Sequence, residues 1–186
     1  MIAGSGRGAG KTAVGCALIA ALPEYRWIAV KVSPHRHDLP DGLWEETDRH
    51  SEKDTGRYLA AGAWRSFLVS GALSAASMVG SDWLGEAQRR APEADGVLVE
   101  SGSDLPAMAA QAGEPVVRLA VLAGLETEWK RSLWGRIDSL DAVVLSAGLT
   151  QEVLPPQLRY QPVFRLVEGN WSSSELVDFV RGALAG

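Results

Sequence analysis

The sequence predicts a three-layer α/β fold, with helices on both faces of a mainly parallel sheet, and three observations carry that expectation. Short apolar runs alternate along the chain with longer amphipathic or small-residue stretches. Several runs, Val97-Leu98-Val99 and Ala142-Val143-Val144-Leu145 among them, are continuously apolar, as strands covered on both faces are. The first run passes through a glycine-rich loop directly into Ala13-Val14-Gly15-Cys16-Ala17-Leu18-Ile19, the order of a strand, a turn and a helix.

In chain order, strands are expected at 1–3, 27–32, 66–69, 96–100, 116–122, 142–146 and 163–167. Helices are expected between them at 11–22, 55–63, 82–91, 105–112, 127–139 and 173–184. Pro23 stops the first helix, Ser81 is placed to cap the third, and Ser172 or Ser173 the last. Residues 33–54 break the alternation: they hold Pro34, Pro40, Gly42, all three histidines and a run of acidic residues, and read as a long loop over the sheet edge. Only three residues precede the first loop glycine, where a central strand usually has five or six, so either this strand is short or strand residues lie upstream.

The 186 residues and 19.8 kDa correspond to one domain over 1–186. A chain of this size buries roughly 70% of its unfolded surface in one core, without a disulfide or metal to staple it. The formal charge of −5 argues against nucleic acid or an anionic membrane as a non-specific partner. The single cysteine, Cys16, excludes an internal disulfide and fits a reducing, cytoplasmic compartment. Neither a secretory leader nor a membrane span of 18 uncharged apolar residues is expected.

The chemistry is concentrated in Gly4-Ser5-Gly6-Arg7-Gly8-Ala9-Gly10-Lys11-Thr12. A tight loop entering a helix N-terminus turns several backbone N–H groups inward, and its glycines let the main chain curl round a phosphate without Cβ clashes. Ser5, Gly6, Arg7, Gly8, Ala9, Gly10, Lys11 and Thr12 are the candidate phosphate cradle. Lys11 is placed to reach the β and γ phosphates, and the Thr12 hydroxyl to ligate Mg2+. Lys11 and Arg7 are the candidate catalytic cations. No residue is an obvious base for water, so turnover is expected to be slow.

This is a phosphate loop of the P-loop NTPase type, with one departure: the usual first glycine position holds Ser5, and Gly4 stands one residue earlier. The resulting Gly-x5-Gly-Lys-Thr spacing resembles dethiobiotin synthetase and its relatives, in the class that also contains nitrogenase iron protein and signal-recognition GTPases. The iron-protein branch carries an extra lysine two residues after its first glycine; here that residue is Gly6, and the additional cation is Arg7, which disfavours that branch.

Three further segments narrow the resemblance. They are Ala29-Val30-Lys31-Val32-Ser33-Pro34-His35-Arg36-His37-Asp38, then Asp54-Thr55-Gly56-Arg57-Tyr58-Leu59-Ala60-Ala61-Gly62-Ala63, and Asp95-Gly96-Val97-Leu98-Val99-Glu100-Ser101-Gly102. Together they resemble the GTP-binding protein family of molybdopterin-guanine dinucleotide biosynthesis. In that family a strand ends in Val-Glu-Gly; here Ser101 separates Glu100 from Gly102. The resemblance implies GTP or ATP binding with Mg2+, slow hydrolysis, molybdopterin or a molybdenum-cofactor enzyme as partner, and a homodimer with its nucleotide sites near the interface.

A metal–triphosphate needs one or two carboxylates, commonly at carboxyl ends of strands. Glu100 at a strand end and Asp54 opening a helix are the candidates alongside Thr12, the alternatives being a solvated strand-end acid and a plain N-cap. Lys31 is a candidate for holding an anionic substrate, as its counterpart in dethiobiotin synthetase holds a carbamate; a surface lysine is the alternative. His35, Arg36, His37 and Asp38 supply His-x-His spacing but no third ligand, and Asp48-Arg49-His50 is equally open. The base is not legible, because Asn-Lys-x-Asp is absent and Leu145-Ser146-Ala147-Gly148-Leu149 stands in its place. Seven tryptophans, at 27, 44, 64, 83, 129, 134 and 171, read mostly as core cover, with Trp129 and Trp134 on different faces of one helix. Cys16 reads as inert packing. Two rival functions remain: an ATP-dependent ligase of the dethiobiotin synthetase type, and a non-catalytic adaptor switched by nucleotide.

Overall fold

The computed structural model describes residues 1–33, 39–70, 82–102, 115–124, 128–135, 137–146, 148–150, 154–167 and 169–185. The expected helix at 105–112, the Ser81 cap, the segment His35, Arg36, His37, Asp38, and Ala147 lie outside the described residues. Along the chain run β1 (Ile2–Gly4), α1 (Lys11–Ala21), β2 (Trp27–Ser33), β3 (Gly42–Glu46), α2 (Asp54–Ala60), β4 (Arg65–Ser70), α3 (Trp83–Arg90), β5 (Gly96–Glu100), β6 (Leu119–Leu122), α4 (Arg131–Trp134), β7 (Ala142–Leu145), β8 (Val163–Arg165) and α5 (Ser174–Leu184). The strands pair in a mostly parallel fashion, the α/β class expected from the sequence. Among the described residues no helix is long and apolar enough to cross a membrane.

The chain divides into two compact units, Met1–Val14 with Gly102–Gly186, and Gly15–Ser101. In the first, the strands run β1-β6-β7-β8, all parallel. Short β1 pairs along its whole length with β6, Ile2 opposite Leu119 and Gly4 opposite Val121. Strand β6 spans Leu119–Leu122 rather than the expected 116–122, the four residues that pair with Ala142–Leu145 of β7. Leu122, Leu133, Leu145, Leu154 and Leu158, each at most 1% exposed, form its core with Trp129. Burying one such leucine contributes ~1.5–3 kcal/mol.

In the second unit the order is β3-β4-β2-β5. Strand β2 is parallel to both neighbours and buried at every residue but Lys31. Its first residue, Trp27, is sealed by an indole N–H donated to the Leu22 carbonyl at 3.0 Å.

Three expectations are corrected. The stretch 33–54 is not all loop: Gly42–Glu46 forms β3, antiparallel to β4 from Gly42 opposite Ser70 to Glu46 opposite Ser66. Its adjacent glutamates hide an apolar alternation, yet an edge strand needs none, and Arg65 pairs with Glu45 at 2.7 Å across the ladder. The third helix is capped by Asp82, which accepts from Gly85 N. The single helix over 127–139 is replaced by α4 and a 3-10 turn at Ile137–Ser139, because Gly135 closes α4 after four residues. Trp129 therefore precedes the helix, and its ring lies 5.8 Å from that of Trp134 rather than on an opposite face. The last cap is Ser173, whose hydroxyl accepts from Leu176 N at 3.2 Å.

Candidate functional site

The glycine-rich loop leaves β1 at Gly4 and enters α1 at Lys11, the first helical bond being Val14 N to Gly10 O at 2.9 Å. Gly8 and Gly10 have φ of +76° and +96°, a region L-residues enter only at a cost, and both fall where the chain must reverse into the helix. A Cβ at Gly6 or Gly8 would meet nothing within 4 Å, so there is open space beside the loop backbone at these positions.

Gly4 answers to another need. A Cβ there would come within 2.8 Å of Lys11 Cγ and 3.0 Å of the Val121 carbonyl, so Gly4 makes room for the lysine stem where it crosses the strand end. The Lys11 ammonium then folds back over the loop and donates to the Gly6 carbonyl at 2.9 Å.

Ser5, in the place of the usual first glycine, is 3% exposed and faces the body of the unit. Its hydroxyl accepts from Ala123 N and donates to Ala123 O, both at 2.9 Å. Its own N–H donates to Val121 O at 3.0 Å, and its carbonyl accepts from Lys130 N at 3.1 Å. The side chain thus anchors the loop root to the exit of β6. Arg7 is exposed at the loop tip, Ala9 is buried beneath it, and Thr12 is 9% exposed in the first turn of α1.

Trp171, read from the sequence only as one of seven tryptophans that mostly cover the core, also touches this loop. An ideal Cβ on Gly10 would fall 2.5 Å from Cζ3 of Trp171, so the indole lies against the Gly10 α-carbon, although the residue as a whole is 41% exposed. No spacing rule links positions 10 and 171, and only the tertiary fold brings them together.

The second unit gathers Lys31, Asp54 and Glu100. Parallel pairing of β2 with β5 sets Lys31 opposite Glu100, and the ammonium donates to Glu100 Oε1. Helix α2 brings Asp54 onto the same ammonium at 3.0 Å. One helical turn on, Tyr58 donates its hydroxyl to Glu100 Oε2, so both oxygens of a carboxylate that is 1% exposed are engaged. Glu100 is therefore not a solvated strand-end acid, and Lys31 is not a surface lysine. Asp54 is the first helical residue rather than the cap, which is Lys53. A buried acid held by a cation and a phenol avoids the cost of an uncompensated charge. The buried Tyr58 hydroxyl, beside that carboxylate, has its pKa pushed well above the ordinary value, burial first and the neighbouring charge second.

Tyr58, absent from the sequence-based candidates, had a signal: it stands four residues after Asp54 on one helix face. A second signal was Gly15 inside α1. A Cβ there would lie 2.9 Å from Tyr58 Cε1 and 3.3 Å from Leu98 Cδ2, so the glycine admits the phenol ring. Cys16 beside it is half-buried, with its thiol pushed up to about 11 by burial, partly offset by Arg57. Asp48, Arg49 and His50 form a turn, His50 N donating to Asp48 Oδ1 at 2.8 Å. Among the described residues no group of three or more His, Cys, Asp and Glu side chains is arranged to hold a metal ion.

A glycine-rich Gly-Lys-Thr loop joining the first strand of a mostly parallel sheet to the first helix defines the P-loop NTPase fold, and this chain has that fold. It is similar in structure to HypB from Helicobacter pylori, determined in complex with nickel: the TM-score is 0.54 and the sequence identity 14%, over 99% of this chain and 85% of that chain. At that identity the likeness is one of fold. No protein-family model matches the chain, and no curated protein does.

Proposed function

We propose that this protein binds a purine nucleoside triphosphate, GTP or ATP, with Mg2+ and hydrolyses it slowly, the bound nucleotide setting the state of a partner. The observation that carries the reading is the loop itself: open glycine backbone at Gly6 and Gly8, followed by Lys11 whose ammonium rests on the loop carbonyl of Gly6. A triphosphate offers that ammonium a stronger, charge-assisted acceptor than a neutral carbonyl. Gly6, Arg7, Gly8, Ala9, Gly10, Lys11 and Thr12 bind the phosphates, and Ser5 fixes the loop root through Ala123.

Mg2+ prefers hard oxygen donors, and the Thr12 hydroxyl in the first turn of α1 is one. When bound, the metal neutralises charge on the phosphate oxygens. Lys11 and the loop amides stabilise charge developing on the transferred phosphoryl group, with Arg7 at the loop tip an additional cation. Asp54 and Glu100 are the carboxylates proposed to serve the metal. To do so, each must exchange its contact with Lys31.

The sequence resemblance supports molybdopterin or a molybdenum-cofactor enzyme as the partner, and a cytoplasmic homodimer as the working form. The ligase alternative draws on Lys31 as the group that holds an acidic substrate. The Lys31 ammonium is shared between two carboxylates, so an acidic substrate would have to displace them.

Calorimetric titration with ATP and GTP in magnesium, followed by phosphate-release assays with and without molybdopterin or a diaminated acid, separates the readings. Slow release that rises with molybdopterin is the expected result. Turnover only with the small acid selects the ligase, binding without turnover selects the adaptor, and no binding of either nucleotide at millimolar concentration removes the proposal.

A further inference from the structure

We propose that Trp171 is the stacking surface for the purine base, an inference that rests on the nucleotide-binding reading above and extends it to the nucleoside half of the ligand. Trp171 stands between β8 and the Ser173 cap of α5. Leu166 N donates to Leu145 O at 2.9 Å, Asn170 N to Val167 O at 3.0 Å, and Ser172 N to Asn170 Oδ1 at 3.2 Å. The first of these bonds ties the start of the segment to the exit of β7, and the other two form a local turn around Trp171. Its six-membered ring packs against Gly10, with Cζ3, Cε3 and Cη2 at 2.5, 3.3 and 3.4 Å from the position a Cβ would take. Any side chain at position 10 would push the ring away, so the glycine serves the tryptophan as well as its own φ of +96°.

The ring touches the residue immediately before Lys11, yet Trp171 as a residue is 41% exposed. Phosphates gripped by loop amides leave the nucleoside to extend from the loop, where this apolar surface stands beside it. Stacking on an aromatic face accepts any base, because every base has a π-face. That property matches a sequence with no Asn-Lys-x-Asp to read guanine, and it makes the contact a base platform without edge recognition.

The test compares wild type, Trp171→Leu and Trp171→Phe by calorimetry with Mg-ATP, Mg-GTP and inorganic tripolyphosphate in magnesium, with thermal unfolding to verify each fold. The expected result is a fivefold or greater loss of affinity for both nucleotides in Trp171→Leu, substantial recovery in Trp171→Phe, and tripolyphosphate affinity within twofold in all three. Nucleotide affinity unchanged in Trp171→Leu overturns the inference while leaving the loop reading intact. Parallel loss of nucleotide and tripolyphosphate affinity also overturns it, since the ring would then only shape the loop. A wild-type protein that binds neither ligand overturns the loop reading and this inference with it.

Discussion

Lys31 and Glu100 face each other across adjacent parallel strands, and the ammonium of the first sits on the buried carboxylate of the second. Tyr58 holds the other oxygen and Asp54 the other side of the lysine, so four side chains from three elements form one polar cluster. Glu100→Gln leaves the cation and the phenol with a neutral acceptor. Removing one charge of a buried, hydrogen-bonded group costs ~1–3 kcal/mol, read as a lower urea midpoint with an unchanged slope. The same variant should blunt the Mg2+ dependence of nucleotide binding. An unaltered metal response takes Glu100 out of the metal set while leaving the stability result in place.

Lys11→Ala removes the cation that crosses Gly4 and covers the loop. Triphosphate affinity should fall at least tenfold, about 1.4 kcal/mol, with thermal unfolding close to wild type. Equal affinity in the variant would show that Lys11 does not reach the phosphates.

Two glycines in helices should respond to alanine with opposite signs. At Gly182, in α5, a Cβ meets nothing within 4 Å, so Gly182→Ala should gain ~0.5–1 kcal/mol from helix propensity. At Gly15 the same gain is opposed by contact with Tyr58 and Leu98, and overpacking costs ~1–3 kcal/mol. Gly15→Ala should therefore be destabilised. Chemical denaturation of both variants tests the pair, and a stabilised Gly15→Ala would mean that Tyr58 repacks without loss.

Cys16 should react slowly. With its pKa at about 11, about 0.1% of the thiol is ionised at pH 8, against about a quarter of a free thiol of pKa ~8.5. Iodoacetamide labelling followed by mass spectrometry should show a rate that climbs about tenfold per pH unit from 8 to 10. The folded-state pKa is raised, so the thiol's contribution to stability is complete below the free-thiol value. It declines as pH rises from there through about 11. Labelling at the rate of an unfolded control at pH 8 would contradict the burial of the thiol.

The local order of residues determined the alternation of strand and helix, the loop with Lys11 and Thr12, and a cap for the last helix at Ser172 or Ser173, because each depends on contacts within a few positions. Continuously apolar strands such as Ala142–Leu145 are recognisable for the same reason: burial on both faces leaves its mark on consecutive residues. The sequence also singled out Lys31, Asp54 and Glu100 without revealing that they meet. Strand register and the docking of α2 decided that, and added Tyr58. Strand β3 escaped detection because an edge strand takes its hydrogen bonds from β4 and needs no apolar alternation of its own. Gly10 and Trp171 lie 161 positions apart along the chain, and only the folded backbone puts the indole on the loop. Local propensity acts over a turn of helix or a strand, whereas register and long-range packing are fixed by cooperative burial of the whole core, which no short stretch of sequence contains.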